Sequence, residues 1–93
     1  MTAQTAIAAT VTGRVQGVGY RYSVLGVAEG LGLTEWVRNA TDGSVETWAQ
    51  GRGPVLDEFV AFLHQGPRAA RVDSVDVRPV TPDASLKDFA IRP

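Results

Sequence analysis

Nine residues, Gly13 to Arg21, read GRVQGVGYR and hold three glycines and two arginines. They lie between an apolar run, TAIAATVT, and a helix-like segment, YSVLGVAEGLG. A strand that feeds a helix through glycines leaves backbone N–H groups free at the helix N-terminus, where they and the helix dipole favour an anion. Gly17 and Gly19 can take up the backbone angles of a tight nest and let a ligand come close. Arg21 falls at the start of the helix. Its guanidinium fork matches two oxygens of a phosphate or carboxylate and stays charged at any working pH. The dipole opposes a cation at that end of a helix, and a bound anion would account for it. Three readings are open: a plain turn with a surface arginine, a nucleotide loop, or a cradle for a small anion. The nucleotide loops fail. A Walker A loop ends in Gly-Lys-Ser/Thr where this chain has Gly19-Tyr20-Arg21. The dinucleotide fingerprint needs a glycine where Tyr22 stands.

The elements that must position this turn follow from periodicity. Thr5 to Val15 reads as a strand with Ile7, Ala9 and Val11 on one face. A helix is expected from about Arg21 to Gly30, with Val24, Leu25, Ala28 and Leu31 as its apolar stripe. Leu33 to Asn39 reads as a second strand, Asp42-Gly43 as a hairpin turn, and SVETWAQ as the returning strand. Pro54 opens a second helix, with Asp57 and Glu58 at its positive end and Leu56, Phe59, Val60 and Leu63 at i, i+3, i+4 and i+7. Gly66-Pro67 stops it. RVDSVDVRPV reads as a fourth strand in which Val75 and Val77 alternate with Asp76 and Arg78, with Asp73 and Asp76 on or beside the solvent face. TPDASLKD is expected to be an exposed loop, and FAIRP a short last strand with Phe89 and Ile91 inward. The order βαββαβ predicts a ferredoxin-like α+β sandwich, two helices on one face of an antiparallel sheet.

Composition narrows the classes of function. The chain has 93 residues, enough for one domain with one modest core. A net charge of -1 with no block of like charge speaks against duplex wrapping or a membrane-surface role. There is no cysteine, which removes disulfides, thiolate metal sites and Cys nucleophiles. No apolar run approaches the roughly 20 residues of a membrane span. The N-terminus lacks a basic signal-peptide region, so the cytoplasm is expected.

GRVQGVGYR, followed by LGLTEWVRNATDGSVE, resembles the acylphosphatase family. The family's marks are a Gly-Arg-Val-Gln-Gly-Val-x-Phe/Tyr-Arg loop and a Gly-Trp-Val-x-Asn strand end before an Asp-Gly hairpin. GPRAARVDSV is similar to the family's lead-in to its fourth strand, so the likeness covers nearly the whole chain. The resemblance implies hydrolysis of a small-molecule acyl phosphate to a carboxylate and inorganic phosphate, without metal or cofactor. It implies that the loop Gln16, Gly17, Val18, Gly19, Tyr20 and Arg21 binds the phosphate through backbone N–H groups. Arg21 matches the family's catalytic arginine, and Asn39 the asparagine that orients the attacking water. There are two departures. Tyr20 stands for the commoner Phe, a mild change. Glu35 stands where Gly usually precedes the Trp; pointing inward it would repel an anion, and it is expected to face solvent.

That chemistry suits this residue inventory. A carboxylate, whose parent acid has a pKa of roughly 4, needs no proton to depart. The loose phosphoryl transition state asks mainly for positioning and positive electrostatics. Asn39 offers one acceptor and two donors without titrating. On its own Asn39 reads as a hairpin-end residue making a local turn bond. His64 sits near a helix C-terminus, where histidine is structurally favoured. Trp36 and Trp48 share a hairpin and are expected to pack the sheet, and Arg14 and Arg38 to flank the site. Two other readings use the same fold. One is a non-catalytic anion sensor. The other is an RNA-binding domain, against which stand the charge and the absence of an RNP-like aromatic pattern in SVETWAQ. The expectation is a monomer with no nucleic-acid or membrane partner.

Overall fold

The computed structural model describes residues 4–83, 85 and 88–92, with Glu35 described by its backbone alone. The elements run β1 (Thr5–Arg14), α1 (Tyr20–Gly30), β2 (Thr34–Asn39), β3 (Val45–Gly51), α2 (Gly53–Gln65), β4 (Arg71–Val80) and β5 (Phe89–Arg92). The strands form one sheet in the order β4-β1-β3-β2-β5. β1 pairs antiparallel with β3 and β4, and β2 antiparallel with β3. Only β5 departs from this pattern, joining β2 in parallel. The α+β ferredoxin-like sandwich is the architecture.

The core lies between the sheet and both helices. Ala9 and Val11 of β1, Val37 of β2, and Val45 and Ala49 of β3 meet Val24 and Ala28 of α1 and Leu56, Phe59 and Leu63 of α2. Phe59 and Phe89 meet edge to face with ring centroids 6.0 Å apart. Each Val, Leu or Phe side chain fully buried there contributes about 1.5–3 kcal/mol. On the far face, Trp36 and Trp48 stand in register and stack at 5.9 Å. The guanidinium groups of Arg38 and Arg92 lie 5.2 and 5.3 Å from the Trp36 ring centroid.

Three details differ from the sequence reading. α2 begins at Gly53, not Pro54, and its first turn holds no acidic residue; Asp57 and Glu58 fall beyond it. The ring of a proline normally keeps the preceding residue out of a helix through its Cβ, and Gly53 has none. Val77 remains 39% exposed, because β4 is an edge strand that the helices leave partly uncovered. The same edge position accommodates Pro79, which cannot donate to a ladder. The first glycine of the loop motif, Gly13, serves the sheet. The β1–β4 register shifts between Thr12 and Gly13, Gly13 has φ +129°, and a Cβ there would run into the Arg71 carbonyl of β4. Ala84, Leu86 and Lys87 of the expected loop lie outside the described residues, while Thr81, Pro82, Asp83, Ser85 and Asp88 are exposed.

Candidate active site

The turn between β1 and α1 lies beside the β2–β3 hairpin. Gly17 and Gly19 have φ of +74° and +79°, and a Cβ at either would meet nothing within 4 Å. Backbone angle alone, not lack of space, therefore calls for glycine at these two positions. Gly19 is the N-cap of α1 and has no side chain to bond the first turn, which also lacks an acidic residue. The first turn's N–H groups have no acceptor within the helix; Ser23 is the first to bond, to the Gly19 carbonyl at 3.0 Å. A positive, unsatisfied helix end is left open beside Arg21.

Arg21 is half-buried. Among the described side chains the ion pairs are Arg38–Glu46 at 2.8 Å and Arg71–Asp73 at 3.1 Å, so neither involves Arg21.

Asn39 closes β2, and its Oδ1 is buried without a hydrogen-bond partner. Leaving a carbonyl oxygen in that state costs about 1–3 kcal/mol. The described hydrogen bonds also include none from the Asn39 side chain to the turn, so it is not tied down as a plain hairpin-end residue would be. The turn that follows is held by other groups. Asp42 accepts from the Ser44 hydroxyl at 2.6 Å and its N–H at 3.0 Å. These two bonds, the hydroxyl's first, hold the Asp42 carboxyl below the usual carboxylate range. Gln16 then ties the loop to the hairpin: its Nε2 donates to the Ala40 carbonyl at 2.7 Å and the Ser44 carbonyl at 2.9 Å. Its side chain thus fixes the glycine turn against the residue next to Asn39.

Tyr20, the first residue of α1, is 1% exposed and donates its hydroxyl to the Leu63 carbonyl at 2.8 Å. Leu63 lies in the last turn of α2, where its carbonyl would normally accept from the N–H four residues on. That residue is Pro67, which has none. The hydroxyl thus supplies the donor that the stop signal removes. Burial pushes the Tyr20 phenol well above its ordinary value.

Val15, Gly17, Gly19, Tyr20, Arg21, Tyr22 and Asn39 line one cavity of about 160 Å3. Of the expected phosphate-binding residues, Gln16 and Val18 do not line it. Gln16 turns to the hairpin, and Val18 packs against the core. A larger hollow of about 470 Å3 shares Asn39 and is lined otherwise by Arg38, Ala40, Thr41, Asp42 and Glu46. Arg38 is its only cation among the described residues and is neutralised by Glu46, with Asp42 adding negative charge. The smaller cavity, lined by Arg21 and by no described carboxylate, therefore has the more positive lining despite its size. Arg14 is exposed, and neither it nor Arg38 lines that cavity. The expected orientation of the Glu35 side chain lies outside the described residues. Sequence reasoning missed Tyr22 at the rim and the Tyr20–Leu63 bond; Pro67 was the one signal that a carbonyl of α2 would need an outside donor.

Fold and turn together define a class: a ferredoxin-like sandwich whose first strand–helix turn is prepared for an anion. The acylphosphatase family model matches residues 7–91. An acylphosphatase of Koribacter versatilis is 51% identical over 87% of this chain and 74% of its own length. One of a Nocardioides species is 45% identical over 96% of this chain and 89% of its own. The crystal structure of acylphosphatase from Bacillus subtilis superposes with a TM-score of 0.90 at 34% identity, covering 95% of this chain and 98% of that one. The chain belongs to the acylphosphatase family.

Proposed function

We propose that this chain hydrolyses acyl phosphates, with the phosphoryl group bound in the cavity between the Gln16–Arg21 turn and Asn39. The observation that carries the reading is the buried, unpartnered Oδ1 of Asn39, on a residue that shares one cavity with Arg21 and the open N-terminus of α1. The phosphoryl oxygens accept from the N–H groups of the turn and from the Arg21 guanidinium, which bear the charge of the loose transition state. Asn39, whose amide carries one acceptor and two donors, holds a water so that the water's lone pair faces phosphorus. The water oxygen forms the new P–O bond as the P–O bond to the acyl group breaks, and the electron pair leaves on the carboxylate. One proton of the water ends on the phosphate or in solvent.

No carboxylate lines the cavity among the described residues, so no general base or metal ligand set is called on. The carboxylate leaving group needs neither. Gln16 acts by holding the turn against the hairpin, and Gly17 and Gly19 by their backbone angles. The chain is proposed to act as a monomer in the cytoplasm without nucleic-acid or membrane partners; a net charge of -1 with no block of like charge gives a polyanion little to hold, and no described helix is long and apolar enough to cross a membrane. The test is turnover of acetyl and benzoyl phosphate with EDTA present. Hydrolysis above the spontaneous rate, unaffected by the chelator, is expected; none above it leaves the anion sensor as the reading.

A further inference from the structure

We infer that Tyr22 is the acyl-side platform of this site, its ring covering the organic part of the substrate, so that aromatic and bulky apolar acyl phosphates are preferred over the smallest. This rests on the acyl phosphate reading above and extends it to the substrate class. Tyr22 lines the same cavity as Arg21 and Asn39. It is 71% exposed, the most exposed large apolar residue among those described. The cavity's other exposed lining residues are Gly17 and Gly19, which have no side chain. Tyr22 is therefore the one exposed residue of the lining that carries a side chain.

Direction supports the same placement. In-line displacement sets the entering and leaving oxygens on opposite sides of phosphorus. Water held by Asn39 at the end of β2 sends the carboxylate away from that strand. The acyl group then leaves through the exposed mouth, where α1 carries Tyr22 next to Arg21 in its first turn. A ring there offers a flat apolar face with a polar tip that stays wet, suited to an aromatic acyl group. The described hydrogen bonds give its hydroxyl no partner, so the ring is not tied into the fold.

The test compares kcat/KM for benzoyl and acetyl phosphate in the parent, Tyr22→Ala and Tyr22→Phe. The parent favours benzoyl phosphate. Tyr22→Ala lowers the benzoyl-to-acetyl ratio about fivefold, mainly through the benzoyl phosphate KM, as the loss of one ring contact implies. Tyr22→Phe retains the ratio. An unchanged ratio in Tyr22→Ala, or an equal fall in Tyr22→Phe, overturns the platform and leaves acyl phosphate hydrolysis standing. No turnover of either substrate by the parent overturns both together. Tyr22 is at the surface, so neither variant threatens folding.

Discussion

Arg21 and Arg38 both line hollows that share Asn39, yet the fold treats their charges in opposite ways. Arg38 sits on the far face of the sheet, with its Nε and Nη2 both 2.8 Å from Glu46 Oε1 and its plane against Trp36. Arg21 is half-buried at an uncapped helix end that repels it, outside both described ion pairs. The first arrangement satisfies a cation within the protein. The second keeps one unsatisfied, and the only partner that would satisfy it together with the helix N–H groups is an anion from outside. What separates the two arginines is the withholding of a carboxylate from Arg21 among the described residues, rather than any property of the guanidinium, and the proposed phosphate-binding role of Arg21 rests on that difference.

The largest expected effect breaks the pair apart. Arg21→Ala should lower kcat/KM for benzoyl phosphate by about 10³-fold or more, since it removes both a phosphate ligand and transition-state charge stabilisation. Competitive inhibition by inorganic phosphate should vanish with it. Arg38→Ala should change kcat/KM by less than about threefold, because its charge is already committed to a partly exposed pair worth at most about 1 kcal/mol. Steady-state kinetics on the two variants decides the matter, and comparable losses would refute the distinction.

Asn39 stands between the two hollows and sharpens the comparison further. Asn39→Ala should reduce kcat about 10²-fold while the inhibition constant for phosphate moves only a few-fold. A group that orients water acts in the transition state and contributes little to ground-state binding. If phosphate affinity fell as far as kcat, Asn39 would be a phosphate ligand and the role given to the water would be wrong.

The difference between the two arginines is partly legible in the sequence. The glycines before Arg21 and the apolar period after it announce an open helix end, and Asp42-Gly43 announces the hairpin that carries Asn39. The pairing of Arg38 with Glu46 is not written locally; it follows from the β2–β3 register, which sets the two residues opposite one another. Gln16 looks like one more loop residue until the fold brings Ala40 and Ser44 beneath its amide. Gly13 looks like part of an anion loop until β4 comes so close that no side chain fits. The parallel addition of β5 to β2 is likewise a long-range choice. Period two assigns Phe89 and Ile91 to a face but says nothing of a neighbour. Local signals of angle and period were readable, and contacts between distant segments were not.

Tyr20 is the smallest of these effects and the clearest case of that divide. Read along the chain, it is a mild variation on Phe beside the loop. In the fold its hydroxyl holds the start of α1, and with it Arg21, to a carbonyl that Pro67 leaves without a donor. Tyr20→Phe should therefore destabilise the protein by about 1–2 kcal/mol, the cost of an unsatisfied buried carbonyl. At about 4–8 °C per kcal/mol for a domain of this size, the loss is visible in a thermal melt at neutral pH. The pH dependence gives a second reading. The folded-state phenol pKa is raised above the ordinary value of 10.0. Its contribution is therefore fully present below about pH 10 and is lost as pH rises from there toward the folded-state pKa. Tyr20→Phe has no such limb, so the gap between the two melting temperatures should narrow above about pH 10. A gap that is absent at neutral pH, or that widens in alkali, would show that the hydroxyl does not anchor the helix on which Arg21 stands.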